Sequence, residues 1–136
     1  MSDTTLQNGN ADLAATILRV STGALFLVHG LTKLFVFTPA GTAGYFQSLG
    51  LPGALGYLTM IIEILGGLAL IAGFMTRWVS LLGALVLLGA AWFGHVPNGF
   101  GFSNTGGGWE YPVFWAIVMV ALSFLGDGRW SVFNRK

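Results

Sequence analysis

Hydrophobic positions along the chain fall into four long runs, separated by short polar or glycine-rich breaks. The first runs from about Leu13 to Phe37, and its strongly polar residues are Arg19, His29 and Lys33. The second begins after Leu51-Pro52-Gly53, where proline suits a first helical turn, and carries Glu63 as its one charge before about Met75. Thr76-Arg77-Trp78 reads as a tight turn, and a third run follows to about Val96. The stretch His95–Glu110 is rich in glycine and also holds Pro97, Asn98, Ser103 and Asn104, so it reads as a loop. The fourth run goes from Tyr111-Pro112 to Leu125, where Gly126-Asp127-Gly128 stops it. A membrane-crossing helix needs about 20 apolar residues, so spans are expected near 13–37, 53–75, 77–96 and 111–125.

The fold class is therefore all-α: an integral membrane four-helix bundle. A transmembrane β-barrel would alternate polar and apolar positions, whereas Ile61–Ile71 and Leu81–Trp92 are apolar nearly throughout. Residues 1–12 form a polar tail, without the basic segment and cleavage site of a secretory signal, so the first span is expected to be retained. Residues 13–131 form the bundle domain, and residues 132–136 form a basic tail. Arg77, Arg129, Arg135 and Lys136 share one side, and Arg19 lies in the half of span one nearest it. Lys33 alone lies toward the other side. The positive-inside rule then gives N-in/C-in topology, both termini cytoplasmic, with the linker Thr38–Leu51 and the glycine-rich loop outside.

Composition strengthens the membrane assignment. Charged residues make up 8% of the 136 positions and hydrophobic residues 54%, against about 25% charged in soluble domains. A formal charge of +1 with no basic run offers no nucleic-acid surface. Cysteine is absent, which excludes disulfides, thiol chemistry and cysteine-ligated clusters.

Candidate chemistry concentrates in span one. At about 100° per residue, Arg19, Thr22, Phe26, His29 and Lys33 share an arc of about 80°. Such a stripe faces protein or a water-filled cavity rather than lipid. Glu63 lies near the middle of span two, where a carboxylate costs about 3 kcal/mol unless paired, protonated or wetted. Arg19 and His29 bracket it in depth, so a contact with one of them is expected. Two readings stay open: a structural ion pair between spans one and two, or a carboxylate that handles protons or ligand. Glu63 and His29 are the candidates for catalysis.

His95, at the outer end of span three, lies in the same membrane half as His29. A bis-histidine haem is disfavoured by their unequal depth, and two His with one distant Glu make a thin metal set, so no metal is expected. Glu110 opens span four, where a helix N-terminus favours negative charge. Capping is its plain reading. The alternative places Glu110, with Tyr111 beside it, in an outer polar pocket with His29, Lys33 and His95. The full candidate ligand-binding set is Arg19, Thr22, His29, Lys33, Glu63, His95, Glu110 and Tyr111.

These motifs resemble the DoxX family. Arg19 with His29-Gly30-Leu31-Thr32-Lys33 looks like that family's first-helix signature. Glu63-Ile64-Leu65-Gly66-Gly67 and Gly73-Phe74-Met75-Thr76-Arg77 are similar to its second-helix region. Gly106–Pro112 and Gly126-Asp127-Gly128-Arg129-Trp130-Ser131 resemble its last signature, so the likeness runs from about Leu13 to Ser131. The resemblance implies a small four-helix subunit of the bacterial cytoplasmic membrane, linked to redox or quinone-dependent respiratory chemistry. A cavity for a quinone or another small apolar ligand is expected, with the electron carrier supplied by a larger membrane complex or a homo-oligomer. The alternative is a non-catalytic accessory or assembly subunit. A small-solute carrier ranks third, because four spans form a path only as an oligomer.

Overall fold

The computed structural model describes residues 3–132. Among them there is no strand, and the helices are α1 (Asp3–Phe35), α2 (Thr38–Ser48), α3 (Gly53–Ala72), α4 (Thr76–Ala90) and α5 (Glu110–Leu125). The end of α4 widens into a π-helical turn, Ala91–His95, and then tightens into a 3₁₀ turn, Val96–Asn98. Three stretches are long and apolar enough to cross a membrane: Asp3–Phe35, Gly53–Ala72 and Thr76–Asn98. α5 is apolar but has only 16 residues, a rise of about 24 Å against a hydrocarbon core of about 30 Å.

Helix α1 and helix α3 run antiparallel in close contact, and small residues set the distance between them. A Cβ on Gly67 would lie 2.7 Å from the Gly23 carbonyl oxygen, and one on Gly30 would lie 2.9 Å from the Ile64 backbone nitrogen. Only glycine lets the two backbones approach this far. The contact fixes the register, bringing residue 23 level with 67 and residue 30 level with 64. α4 and α5 form a second antiparallel pair. Phe26 joins the pairs by packing on Gly83 and on the Trp115 ring, in a core with Leu70, Leu87, Met119 and Leu122.

Large apolar side chains cover the outer surface: Phe124 is 80% exposed, Leu85 and Phe114 67%, and Leu65 60%. An apolar belt this continuous is stable only against lipid, as the hydrophobic runs require.

Three boundaries differ from the sequence expectation. α1 begins at Asp3, so the polar stretch before Leu13 is already helical. The segment Thr38–Leu51, expected only as a linker, holds the eleven-residue helix α2. It lies flat on the first turns of α3, where Gly53 and Gly56 admit Ala43 and the Thr42 carbonyl. The Thr42 hydroxyl also donates to the Lys33 carbonyl at 3.1 Å, satisfying an acceptor that the end of α1 leaves open. Finally, the turn between α3 and α4 sits one step earlier than expected. Gly73 (φ 77°) and Met75 (φ 49°) are left-handed there, and Thr76-Arg77-Trp78 is already helix.

Candidate functional site

Polar residues of the span-one stripe separate into two groups at opposite ends of the bundle. At the end where α3 finishes, Arg19 is 1% exposed. Its Nη1 donates to the carbonyls of Leu70 (2.8 Å) and Ile71 (2.7 Å), in the last turn of α3. Its Nη2 donates to the carbonyl of Arg129 at 2.9 Å and, at 3.4 Å, to that of Trp130. The final carbonyls of a helix have no partner of their own and carry the negative end of its dipole, so a guanidinium fits there without an acid. Thr16 continues the clamp: its hydroxyl receives the Arg129 amide at 2.7 Å and donates to the Asp12 carbonyl at 2.9 Å. The Val132 amide donates to the Ala72 carbonyl at 2.9 Å, so the segment after α5 is stapled back onto α1 and α3. Thr22 is buried nearby, its hydroxyl donating to the Leu18 carbonyl at 2.6 Å.

Toward the other end lies a cavity of about 300 Å³ between α1, α2, α3, α5 and the second half of α4 with its π turn. Its apolar wall includes Phe26, Phe46, Leu55, Leu87, Phe93 and Trp115, and its polar groups are His29, Lys33, Tyr45, Thr59, Glu63, His95 and Tyr111. The volume is about twice that of a 150 Å³ cavity able to take benzene, which suits one substituted ring.

Glu63 meets neither Arg19 nor His29 in a salt bridge; its partner is Lys33, and this corrects the sequence reading. Lys33 Nζ donates to Oε1 at 3.0 Å and to Oε2 at 2.8 Å, with the carboxylate side chain 9% exposed and the lysine 20%. The register explains the choice. With residue 67 level with 23, Arg19 lies about two turns, roughly 12 Å, from the level of Glu63. The contact of Gly30 with Ile64, closer to Glu63, puts the carboxylate level with about residue 31, so Lys33 lies about two residues beyond it and reaches back along the helix, as helical side chains do. His29, the other expected partner, instead stands edge-on to the Trp115 ring, centroids 5.3 Å apart, on the cavity wall.

The π turn directs His95 into the same cavity. Its Nδ1 bonds the Gly107 carbonyl at 2.9 Å, and its Nε2 bonds the Tyr111 hydroxyl at 3.0 Å, with the two rings edge to face. Asn98 Nδ2 donates to the same Gly107 carbonyl at 2.9 Å, which ties the loop to the end of α4. Both ring nitrogens of His95 are therefore engaged within the protein. Among the described residues, no three of His, Cys, Asp and Glu converge as a metal set. Glu110 occupies the first turn of α5, where the dipole favours it, but makes no side-chain cap bond and does not line the cavity.

Of the sequence candidates, the structure thus brings together His29, Lys33, Glu63, His95 and Tyr111, and sets Arg19, Thr22 and Glu110 apart. Tyr45 on α2 and Trp115 on α5 line the cavity without having been singled out. Tyr45 carried no signal in the sequence beyond its aromatic type. Trp115 could have been found by its helical offset of four from Tyr111.

A membrane helical protein with a ring-sized, partly open cavity is the class that this geometry defines. The chain belongs to the DoxX family, whose profile matches residues 14–96, from α1 through the π turn that carries His95. It is also similar to "Putative oxidoreductase CatD" of Bacillus subtilis (strain 168), with 41% identity over 83 residues. That alignment covers 61% of this chain and 60% of the relative's length. No solved structure matches the chain.

Proposed function

We propose that this protein is a redox-associated membrane subunit whose cavity binds a quinone or another small apolar ligand. The observation that carries this reading is the cavity itself: about 300 Å³, mostly apolar, with the Lys33–Glu63 pair and His29 on its wall. Apolar pockets with a few convergent polar groups are the usual form of small-molecule sites. The relative's name, an oxidoreductase, supports the redox association. On this reading Lys33 holds a polar group of the ligand, while Glu63 and His29 exchange protons with it. Electrons come from a partner complex or bound cofactor, because these side chains carry none. Proposed with it are four spans, α5 being the shortest, and cytoplasmic termini. Arg19, Arg77 and Arg129 support that orientation; Arg135 and Lys136, counted in the same argument, lie outside the described residues.

Gentle purification followed by optical absorption and mass spectrometry of the extracted lipids tests the ligand. A stoichiometric ring compound is expected, lost in Gly89→Leu. Gly89 lines the cavity, and a Cβ there meets nothing within 4 Å, so a leucine can start from this position without a backbone clash and take up cavity space. Co-purification of a larger complex with no ligand would instead favour the accessory-subunit role. For orientation, reporter fusions at the C-terminus and at Asn98 should read cytoplasmic and external respectively. The reverse pattern ends the topology proposal.

A further inference from the structure

The hydrogen-bond chain at the outer wall of the cavity has a direction, and that direction selects among ligands. The Gly107 carbonyl can only accept, so the bond at 2.9 Å requires that His95 Nδ1 carry the hydrogen. In the neutral ring Nε2 is then a bare acceptor, and the bond at 3.0 Å takes the one hydrogen of the Tyr111 hydroxyl. What remains at Tyr111 is an oxygen with its hydrogen committed and its lone pairs free. Asn98 reinforces this polarity by holding the Gly107 carbonyl in place from a second side. The orientation is thus set by backbone at one end and passed to the cavity at the other.

Charge restricts the ligand as well. Glu63 receives both of its bonds from Lys33, so the pair is self-compensated and leaves no net charge to hold an ion. Phe26, Phe46, Phe93 and Trp115 offer ring faces and edges instead.

From these features we infer that the cavity prefers a neutral aromatic ligand bearing an O–H or N–H group, which it donates to Tyr111 Oη, over a ring bearing only carbonyls, so that of a quinone and its reduced form the quinol binds more tightly. Tyr111 is the residue that makes this contact, and His95 is the positioning residue that fixes its polarity. The inference rests on the cavity reading above and narrows its ligand class.

Phenol and benzaldehyde serve as probes, one with a donor and one without. Their binding is measured by equilibrium dialysis against the protein in lipid nanodiscs at mildly alkaline pH, with empty nanodiscs correcting for partition. The wild-type protein should bind phenol about five- to tenfold more tightly, the range of one net hydrogen bond. In His95→Leu the Tyr111 hydrogen is released, so benzaldehyde should gain affinity and the preference should narrow or reverse. A merely structural role for His95 would lower both affinities together, and that result overturns the assignment. Gly89→Leu should abolish binding of both probes. Equal affinities, or tighter benzaldehyde binding, in the wild type with both lost in Gly89→Leu overturns the donor rule and leaves the cavity reading standing. Binding of neither probe removes the cavity reading and the inference with it. Should His95→Leu fail to fold, the wild-type comparison decides alone.

Discussion

The middle and the C-terminal end of helix α1 hold a cation in opposite ways. Arg19 is sealed among four backbone carbonyls, and glycines close the helices around it. Lys33, fourteen residues on, pairs with a carboxylate beside an open volume of about 300 Å³. A guanidinium has five donors in a fixed plane and can serve several carbonyls at once, whereas an ammonium is a point charge on a flexible stem. The first arrangement leaves nothing for a ligand to use. The second leaves an ion pair that a ligand can share. Polar residues on one helical stripe therefore need not form one site, and the depth at which each meets its neighbours decides which job it does.

The sharpest way to break this comparison is at the sealed end. Arg19→Met removes the guanidinium from four carbonyls. Leu70 keeps the Gly73 amide and Arg129 keeps the Thr16 hydroxyl, while Ile71 and Trp130 lose their donor, at about 1–3 kcal/mol for each buried acceptor left unsatisfied. A large fall in detergent melting temperature and in expression is expected. Arg19→Lys should rescue little, since one ammonium cannot fork between α3 and the C-terminal segment. A melting temperature within a degree or two of wild type would show that the clamp is incidental.

A smaller effect is expected at the open end. Glu63→Gln strands the Lys33 ammonium, but that lysine is partly exposed and can turn toward water, so about 1–2 kcal/mol is expected rather than the full cost of a sealed pair. Lys33→Met in the same chain should return part of the loss, whereas Arg19→Gln should add to it. A double-mutant cycle on melting temperature measures the coupling. Coupling of Glu63 to Arg19 instead would contradict the observed pairing.

Least disturbed should be Gly89→Leu. Its stability change is expected within about 0.5 kcal/mol, because the new side chain enters empty space. Ligand content, measured on the same preparations, should fall by at least tenfold. A variant that melts normally and keeps its ligand would place binding outside the cavity.

Long apolar runs made α1, α3 and α4 legible, and Pro52 and Gly126 marked boundaries that composition alone can show. α2 was not legible as a helix. Its Pro39, Gly41 and Gly44 argue against regular structure, and what holds it is contact with Gly53 and Gly56 on another helix. The Lys33–Glu63 pair was missed for a related reason. Counting residues along each span gives depth only to within a few turns. The register that selects Lys33 comes from Gly23 against Gly67 and Gly30 against Ile64, and nothing in one helix states which glycine it will meet. Exposure of His95 to the cavity depends on a π turn, which places one more residue in the last turn of α4 than an α-helical count allows.

Arg19 also imposes an order in time. Its carbonyl partners at Leu70 and Ile71 follow it by about fifty residues, and those at Arg129 and Trp130 by 110 and 111. At synthesis rates of about 5–20 residues per second, the first helix waits roughly 5–20 seconds between its own emergence and that of its last partners. For that interval the guanidinium must be held by α3 alone, by water, or by lipid phosphate at the membrane surface. The bundle therefore closes only after α5 has been made, and a chain halted within α5 has an arginine still half-served.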